Sequence, residues 1–462
     1  MRILVLVDGE HYPPVVRAAI DHLAQRFPDS IVVGAALVGG REKLTSSTPD
    51  FGVDLTRGDS PDQALVEALE KLRPDMVFDL ADEPVMDSRT RMRLAARTLA
   101  AGVDYQGADF AFRPPPRPRL ANKPTVAVVG TAKRSGKTAV SAHLARTLGD
   151  RGTPPVVVAM GRGGPADPEL VDPRAFDLSV PGLLALADSG RHAASDHLEA
   201  AVMSGATTVG TRRCGGGLAG APVDDTVAAG IEMANGRPEA LMIVEGSGQC
   251  IPPVHTDATI LVIPGHADPE LVAGYLGSYR LLLADLIVVT MGATSLAASG
   301  YRAAFEGDIR RLLEAVPGRQ PRTVRVTLQP TPLSPVAGRR VIYATTAPAS
   351  ARSHLAAHLE HVHGAQIVGS SHNLANRPQL IADLEAAAEA EVLLVELKAA
   401  AVDVAARFAF QRGMDVVLCD NRVLTIGGDG SFDDLGPEMT DLAVERFVGY
   451  GRVRTGTEVA KR

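Results

Sequence analysis

Val126-Ala127-Val128-Val129-Gly130-Thr131-Ala132-Lys133-Arg134-Ser135-Gly136-Lys137-Thr138 is the stretch on which the fold turns. A short apolar run, Val126–Val129, is the mark of a strand buried on both faces. A Gly/Lys loop follows it, and Thr138–Leu148 reads as a helix. Strand, loop and helix in that order are what a phosphate-binding loop needs. Successive backbone N–H groups wrap the anion, and the helix start adds its positive end. In such a loop Gly130, Thr131, Arg134, Ser135 and Gly136 form the cradle. Lys137 reaches the β/γ-phosphates, and the Thr138 hydroxyl ligates Mg²⁺. ATP and Mg²⁺ are therefore the expected cofactors. The spacing departs from the standard motif, because five residues separate Gly130 from Gly136.

Downstream, Leu241–Val244 is another apolar run. It ends in Glu245-Gly-Ser-Gly-Gln249. A carboxylate at the carboxyl end of a neighbouring strand is where a second Mg²⁺ contact belongs, so Glu245 joins Thr138 as an expected metal ligand. Gly161-Arg162-Gly163-Gly164-Pro165 follows the strand Val156–Ala159. Its glycines let backbone N–H groups approach an anion, and Arg162 offers a planar fork for phosphate. Gly210-Thr-Arg212-Arg213-Cys214-Gly-Gly-Gly217 has the same chemistry; both stretches also read as plain flexible loops. Lys398 follows the strand Val392–Val395 and Glu396, where a Glu–Lys surface pair is the competing reading. His192 and His197 lie in a polar stretch without ligand spacing and read as solvated.

Outward from this centre the chain alternates strands and helices on both sides, an α/β pattern of parallel sheets. Residues 1–112 read as an N-terminal α/β substrate domain, with strands at Ile3–Val7, Ile31–Val38 and Met76–Leu80. The helix Pro61–Leu72 has Ser60 as its N-cap. After the first strand come Asp8, Glu10 and His11, at the end where open sheets bind ligands. An Asp/Glu turn capping the next helix is the competing reading. Arg113-Pro-Pro-Pro-Arg-Pro-Arg119, with four prolines in seven residues, reads as a stiff linker. Residues 121–335 read as the P-loop ATP-binding domain, interrupted by a Gly-rich excursion over 161–222. Pro330–Pro335 reads as a second linker, and 336–462 as a C-terminal α/β domain.

Composition sets the limits. The 462 residues carry 47 Lys+Arg against 54 Asp+Glu, a net charge of −7, which argues against a surface built for nucleic acid. Aromatics are 4% with no Trp, so base-stacking platforms are not expected. Cys214, Cys250 and Cys419 have no paired spacing, which fits a reducing compartment. Met1–Val7 is too short an apolar start for a signal peptide, and no stretch reaches the roughly 18 apolar residues of a spanning helix. A cytoplasmic protein without membrane partners is the expectation.

The Gly-Thr-x₄-Gly-Lys-Thr loop at 130–138 and Val244-Glu-Gly-Ser-Gly248 together resemble the dethiobiotin synthetase-like branch of P-loop proteins. Three further stretches narrow the match: Leu6-Val-Asp8-Gly-Glu10-His11-Tyr-Pro-Pro-Val15, Gly161–Pro165 and Glu396-Leu-Lys398-Ala-Ala-Ala-Val-Asp403. They resemble the cyclic 2,3-diphosphoglycerate synthetase family over nearly the whole chain. The resemblance implies a central P-loop NTPase domain with a parallel sheet, flanked by Rossmann-like N- and C-terminal α/β regions. It implies ATP-dependent closure of 2,3-diphosphoglycerate to its cyclic phosphoanhydride, releasing ADP and phosphate. Asp8, Glu10, His11, Arg162, Arg212, Arg213 and Lys398 become the expected substrate contacts. Lys137, Lys133, Arg162 and Arg213 become the expected catalytic cations, and a homodimer the expected assembly. Two other readings stand beside it. An ATP-dependent ligase or amidotransferase belongs to the same branch, but Cys419 lacks the Gly-flanked elbow of a glutaminase nucleophile. A nucleotide-switch ATPase would carry a signature Lys where this chain has Ala132.

Overall fold

The structure, a computed structural model, describes residues 1–44, 49–290 and 320–459. The chain forms two compact units. One contains Met1–Pro116 and Ala267–Ala284, and the other contains Arg117–His266, Asp285–Thr290 and Arg322 onward.

In the first unit, β1 (Arg2–Val7) pairs in parallel with β2 (Ile31–Leu37) and with β4 (Met76–Asp79). The sheet is completed by β3 (Leu55–Thr56), β5 (Asp104–Gln106) and β6 (Ala111–Phe112), in the order β3-β2-β1-β4-β5-β6. Helices α1 (Pro13–Arg26), α2 (Pro61–Leu72) and α3 (Ser88–Ala100) connect the strands. Ser60 caps α2 as expected, accepting from Gln63 N–H. Ile3, Val5, Val16, Ile20, Leu37 and Phe78 bury one core. The helix Ser278–Leu283 packs on α3, and Arg89 pairs with Glu270.

The second unit is organised by β7 (Thr125–Gly130), fully buried as its apolar run predicts, and α4 (Lys137–Asp150). Parallel neighbours are β8 (Val156–Gly161), β12 (Met242–Glu245), β13 (Ala258–Pro264) and β14 (Leu286–Thr290). The span 161–222 is not a loop excursion. It holds β9 (Glu169–Val171), α5 (Val180–Asp188), α6 (Asp196–Ser204) and β10 (Thr208–Cys214), which pairs with β8. Glycine and arginine hide β10 in the sequence because Gly210 makes room for the His197 ring and Arg213 is turned inward.

Pro330–Pro335 is not a linker in its first part either. Strand β15 (Arg322–Pro332) runs through Pro330 and pairs antiparallel with β19 (Asp415–Gly428). Its pairing with β14 ends at Arg325, so among the described residues Pro330 and Pro332 have a partner strand on one side alone, where a missing N–H costs little. Past β19 the sheet continues through β18 (Val392–Glu396), β16 (Arg340–Ala344) and β17 (Gln366–Ser371). A register shift sits between Arg325 and Val326 in β15. Beyond it the C-terminal strands reach a different face of the central helices. Val140 and Leu144 of α4 pack on the β7 side. Ala142 of α4 and Leu198 of α6 pack with Ile342, Leu393 and Val395. This second core brings the carboxyl end of β18 over the P-loop. Among the described residues no helix is long and apolar enough to cross a membrane.

Candidate active site

The loop between β7 and α4 is shaped for an anion. Gly136 begins the helix at φ +92°, a conformation that side chains avoid, and a Cβ there would also crowd Leu328 and Thr290 at 3.1 Å. A Cβ on Gly130 would fall 2.6 Å from Ser135 Oγ and 2.8 Å from the Lys137 chain, which explains the early glycine. The Thr290 hydroxyl donates to the Ser135 carbonyl at 2.6 Å, tying the loop to β14. Lys137 is buried. Its ammonium donates to the carbonyls of Ala132 (3.0 Å) and Gly248 (3.2 Å) and to Ser135 Oγ (3.3 Å).

A cavity of about 250 Å³ opens on this loop. Lys133, Arg134, Lys137, Arg162 and Lys398 supply positive charge to its wall; Asp196, Glu199 and Glu245 supply negative charge. Burial pulls Lys137 down to about 8, with Asp196 and Glu245 opposing. Burial raises Glu245 to about 8 and Glu199 to about 7. Lys398 stays charged although burial opposes it, because Glu199 (3.2 Å) and Glu396 outweigh that cost. Glu396 is fully engaged by Thr345, Thr346 and Asn421, so Glu199 is the acid that Lys398 neutralises at the cavity wall.

Several expected residues meet here. Thr138, Glu245, Arg162, Lys133 and Lys398 share the cavity with the cradle residues Arg134, Ser135 and Gly136. Lys398 is therefore not a surface partner of Glu396. Arg212 and Arg213 lie on β10 rather than in a glycine loop. Arg212 is exposed and outside the cavity lining. Arg213 is buried, and its guanidinium donates to the carbonyls of Gly215 (2.6 Å) and Ser247 (2.8 Å). Arg162→Ala should therefore raise the substrate KM, whereas Arg213→Ala should mainly lower the melting temperature. Each of the two carbonyls left stranded costs about 1–3 kcal/mol where it stays buried. Thermal melts and steady-state kinetics of the two variants check this split.

Asp8, Glu10 and His11 belong to the first unit, at the carboxyl end of β1. Asp8 is fully buried and organises its own turn, accepting from the N–H groups of Glu10, His11 and Asp82 and meeting His11 Nδ1 at 2.9 Å. His197 is not solvated; it is buried beside Ser195. Cys419 is buried in β19, and burial pushes its thiol well up, which suits no nucleophile. The sequence reading missed Ser195, Asp196 and Glu199, all on the cavity wall. Glu199 falls four residues after the N-cap Ser195, one beyond the spacing of a capping box, so no local motif marked them.

The donor set fits Mg²⁺. Glu245 Oε1 is buried with no hydrogen-bonding partner, and the Thr138 hydroxyl opens on the same cavity. An orphaned carboxylate oxygen beside a phosphate cradle suits a hard cation with oxygen ligands.

A glycine-shaped loop at the end of a central parallel strand, a buried lysine at the helix start and a carboxylate on the next strand define a P-loop nucleotide-binding enzyme. Family models for cyclic 2,3-diphosphoglycerate synthetase match the chain in three pieces: the N-terminal domain at residues 2–113, the P-loop domain at 125–316 and the C-terminal domain at 332–422. The chain belongs to the cyclic 2,3-diphosphoglycerate synthetase family. A relative of that name from Rubrobacter xylanophilus is 44% identical over 452 residues, covering 98% of this chain and 99% of its own. Those from Thermococcus gammatolerans (44% identical; 92% and 94% covered) and Methanothermus fervidus (39%; 96% and 98%) are similar over most of their lengths.

Proposed function

We propose that this enzyme uses ATP to close 2,3-diphosphoglycerate into its cyclic phosphoanhydride, releasing ADP and phosphate. The observation that carries the reading is the single cavity in which the P-loop cradle meets Arg162 and Lys398, cations beyond those a nucleotide needs. The physical obstacle is repulsion, since each phosphate carries roughly −1.5 to −2 charge at neutral pH. Arg162, Lys133 and Lys398 offset that charge and hold the two phosphates in bonding geometry, which is where most phosphoryl-transfer catalysis comes from. ATP phosphorylates one phosphate of the substrate. The other phosphate then attacks the inner phosphorus of that new anhydride and expels inorganic phosphate. Thr138 and Glu245 would hold Mg²⁺, which supplies charge neutralisation on the phosphates. The ligase and nucleotide-switch readings are not favoured by the family. ³¹P NMR with ATP, Mg²⁺ and 2,3-diphosphoglycerate tests the proposal: cyclic product should form near one-to-one with ADP. ADP forming while the diphosphoglycerate signals stay unchanged would overturn it.

Glu245→Gln should raise the Mg²⁺ concentration needed for half-maximal turnover and slow the reaction, with little change in melting temperature. Burial already holds this carboxyl protonated near neutral pH, so the amide replaces a neutral group in the free protein. An unchanged Mg²⁺ titration would return Glu245 to a structural role. We also place the enzyme in the cytoplasm as a homodimer, the state usual in the P-loop branch it resembles. Its three cysteines are unpaired. Sedimentation should read twice the 48.4 kDa of one chain.

A further inference from the structure

Ser195 has the extended backbone of an N-cap for α6, yet its hydroxyl makes no capping bond. It lies instead 3.1 Å from His197 Nδ1. Ser195 and His197 are each 3% exposed. The imidazole rests on β10 where Gly210 leaves space; a Cβ there would fall 2.6 Å from the ring. On the far side, His197 Nε2 faces Glu169 Oε2 of β9 at 3.4 Å and has no hydrogen-bonding partner. Arg191 clasps the same carboxylate. Ser195 borders the P-loop cavity and also an adjoining cavity of about 320 Å³ lined by Gly163, Glu169, Arg191, His192 and His197. A carboxylate, an imidazole and a hydroxyl thus stand in line, ending at the phosphate cavity.

We propose that Glu169, His197 and Ser195 form a proton relay for ring closure, with Ser195 touching the substrate phosphate and the other two positioning it. The proposal rests on the cyclisation reading above. The attacking phosphate has a second ionisation near 6, so part of it arrives carrying a proton. That proton passes to Ser195 Oγ as the hydroxyl's own proton moves to His197 Nδ1. The freed oxygen attacks the inner phosphorus of the acyclic anhydride, and the bond to the outer phosphate breaks. The relay then runs backwards and returns the proton to the departing phosphate, which leaves as its hydrogen-phosphate dianion. The Glu169 carboxylate, 3.4 Å from Nε2 in the free protein, closes to a hydrogen bond as the imidazolium forms, which favours the tautomer with Nε2–H toward it and steadies the charge.

The surrounding charges suit this. His197, and against the effect of burial Arg191, hold the Glu169 carboxyl at about 2, so it remains an anion throughout. His192 comes from the loop before α6, and β10 brings the uncharged Thr208 and Gly210 against His197. Asp196 and Glu199 of α6 line the P-loop cavity, and Arg146 of α4 is bound to Asp420 and the Met203 carbonyl.

The test is kcat for cyclic product, followed by ³¹P NMR from about pH 5.5 to 8.5, in wild type, Ser195→Ala, His197→Gln and the double variant. Wild type should give a bell. The relay needs a free acceptor nitrogen, which fails toward low pH, and a proton brought by the substrate, which fails toward high pH. Each single variant should lose about 10²-fold near neutral pH and flatten the bell, with KM for ATP unchanged. The double variant should be no worse than the singles, because residues acting as one unit are non-additive. Ser195→Ala loses no capping bond but does lose the contact with His197, so the melting temperature of each variant is read beside its kinetics. A bell kept at reduced height, full activity, or losses that multiply in the double variant would each overturn the relay. Wild type yielding no cyclic product would instead overturn the cyclisation reading itself.

Discussion

Lys137→Ala is expected to lower ATP turnover by about 10²–10³-fold, the usual effect of removing a preorganised donor from developing charge. The ammonium sits at the start of α4, held by the carbonyls of Ala132 and Gly248, and in the proposed reaction it would meet the charge that grows on the β/γ-bridge. The fold should survive. A lysine whose folded pKa is depressed from 10.5 to about 8 costs stability below 10.5, and that cost is complete once pH falls below 8. At pH 7 the alanine therefore relieves an unfavourable buried charge while losing three hydrogen bonds, and the melting temperature should change little. Turnover and thermal melts on one preparation check this. A variant with near wild-type turnover would show that the loop is not the catalytic site.

Lys398→Met is expected to cost activity on the order of 10²-fold and to destabilise in a pH-dependent way. The lysine is 28% exposed and pairs with Glu199, which is 9% exposed. Its loss should cost roughly 1–3 kcal/mol at pH 8, between the value of a surface pair and that of a buried one. Burial already raises the Glu199 carboxyl to about 7 with Lys398 present, and without it the value climbs further. An acid raised in the folded state loses stability as pH rises from its unfolded value through its folded one. The gap in melting temperature from wild type should be small at about pH 6 and widen toward pH 8. Adding Glu199→Gln should close that gap without restoring cyclisation. Activity returning in the double variant would show that Lys398 serves only to neutralise Glu199.

Residues with short-range physics were legible in advance. Ser60 caps α2 because its hydroxyl meets an N–H three residues on. Val126–Val129 is buried because an apolar run of that length has one use beside a glycine loop. Strand β10 was not legible, since Gly210 and Arg213 break the apolar pattern for reasons supplied by His197 and by the carbonyls of Gly215 and Ser247. His197 looked solvated for the same reason: its neighbours in sequence are polar, while its neighbours in space are β9 and β10.

By itself the sequence determined the P-loop, its nucleotide class and the resemblance that the family comparison bears out. All the groups of that loop lie on nine consecutive residues, whose backbone geometry is set by local glycines. Only the tertiary structure decided which cations and acids share its cavity. It admitted Lys398, Asp196, Glu199 and Ser195, and it turned Arg213 away to hold two carbonyls. The reason is that α4 carries two apolar faces. One packs on the parallel strands around β7, and the other, at Ala142, meets α6 and strands beyond a register shift nearly two hundred residues later. Burial of that second face draws the end of β18 over the P-loop, and no local pattern encodes a contact made by that much distant packing.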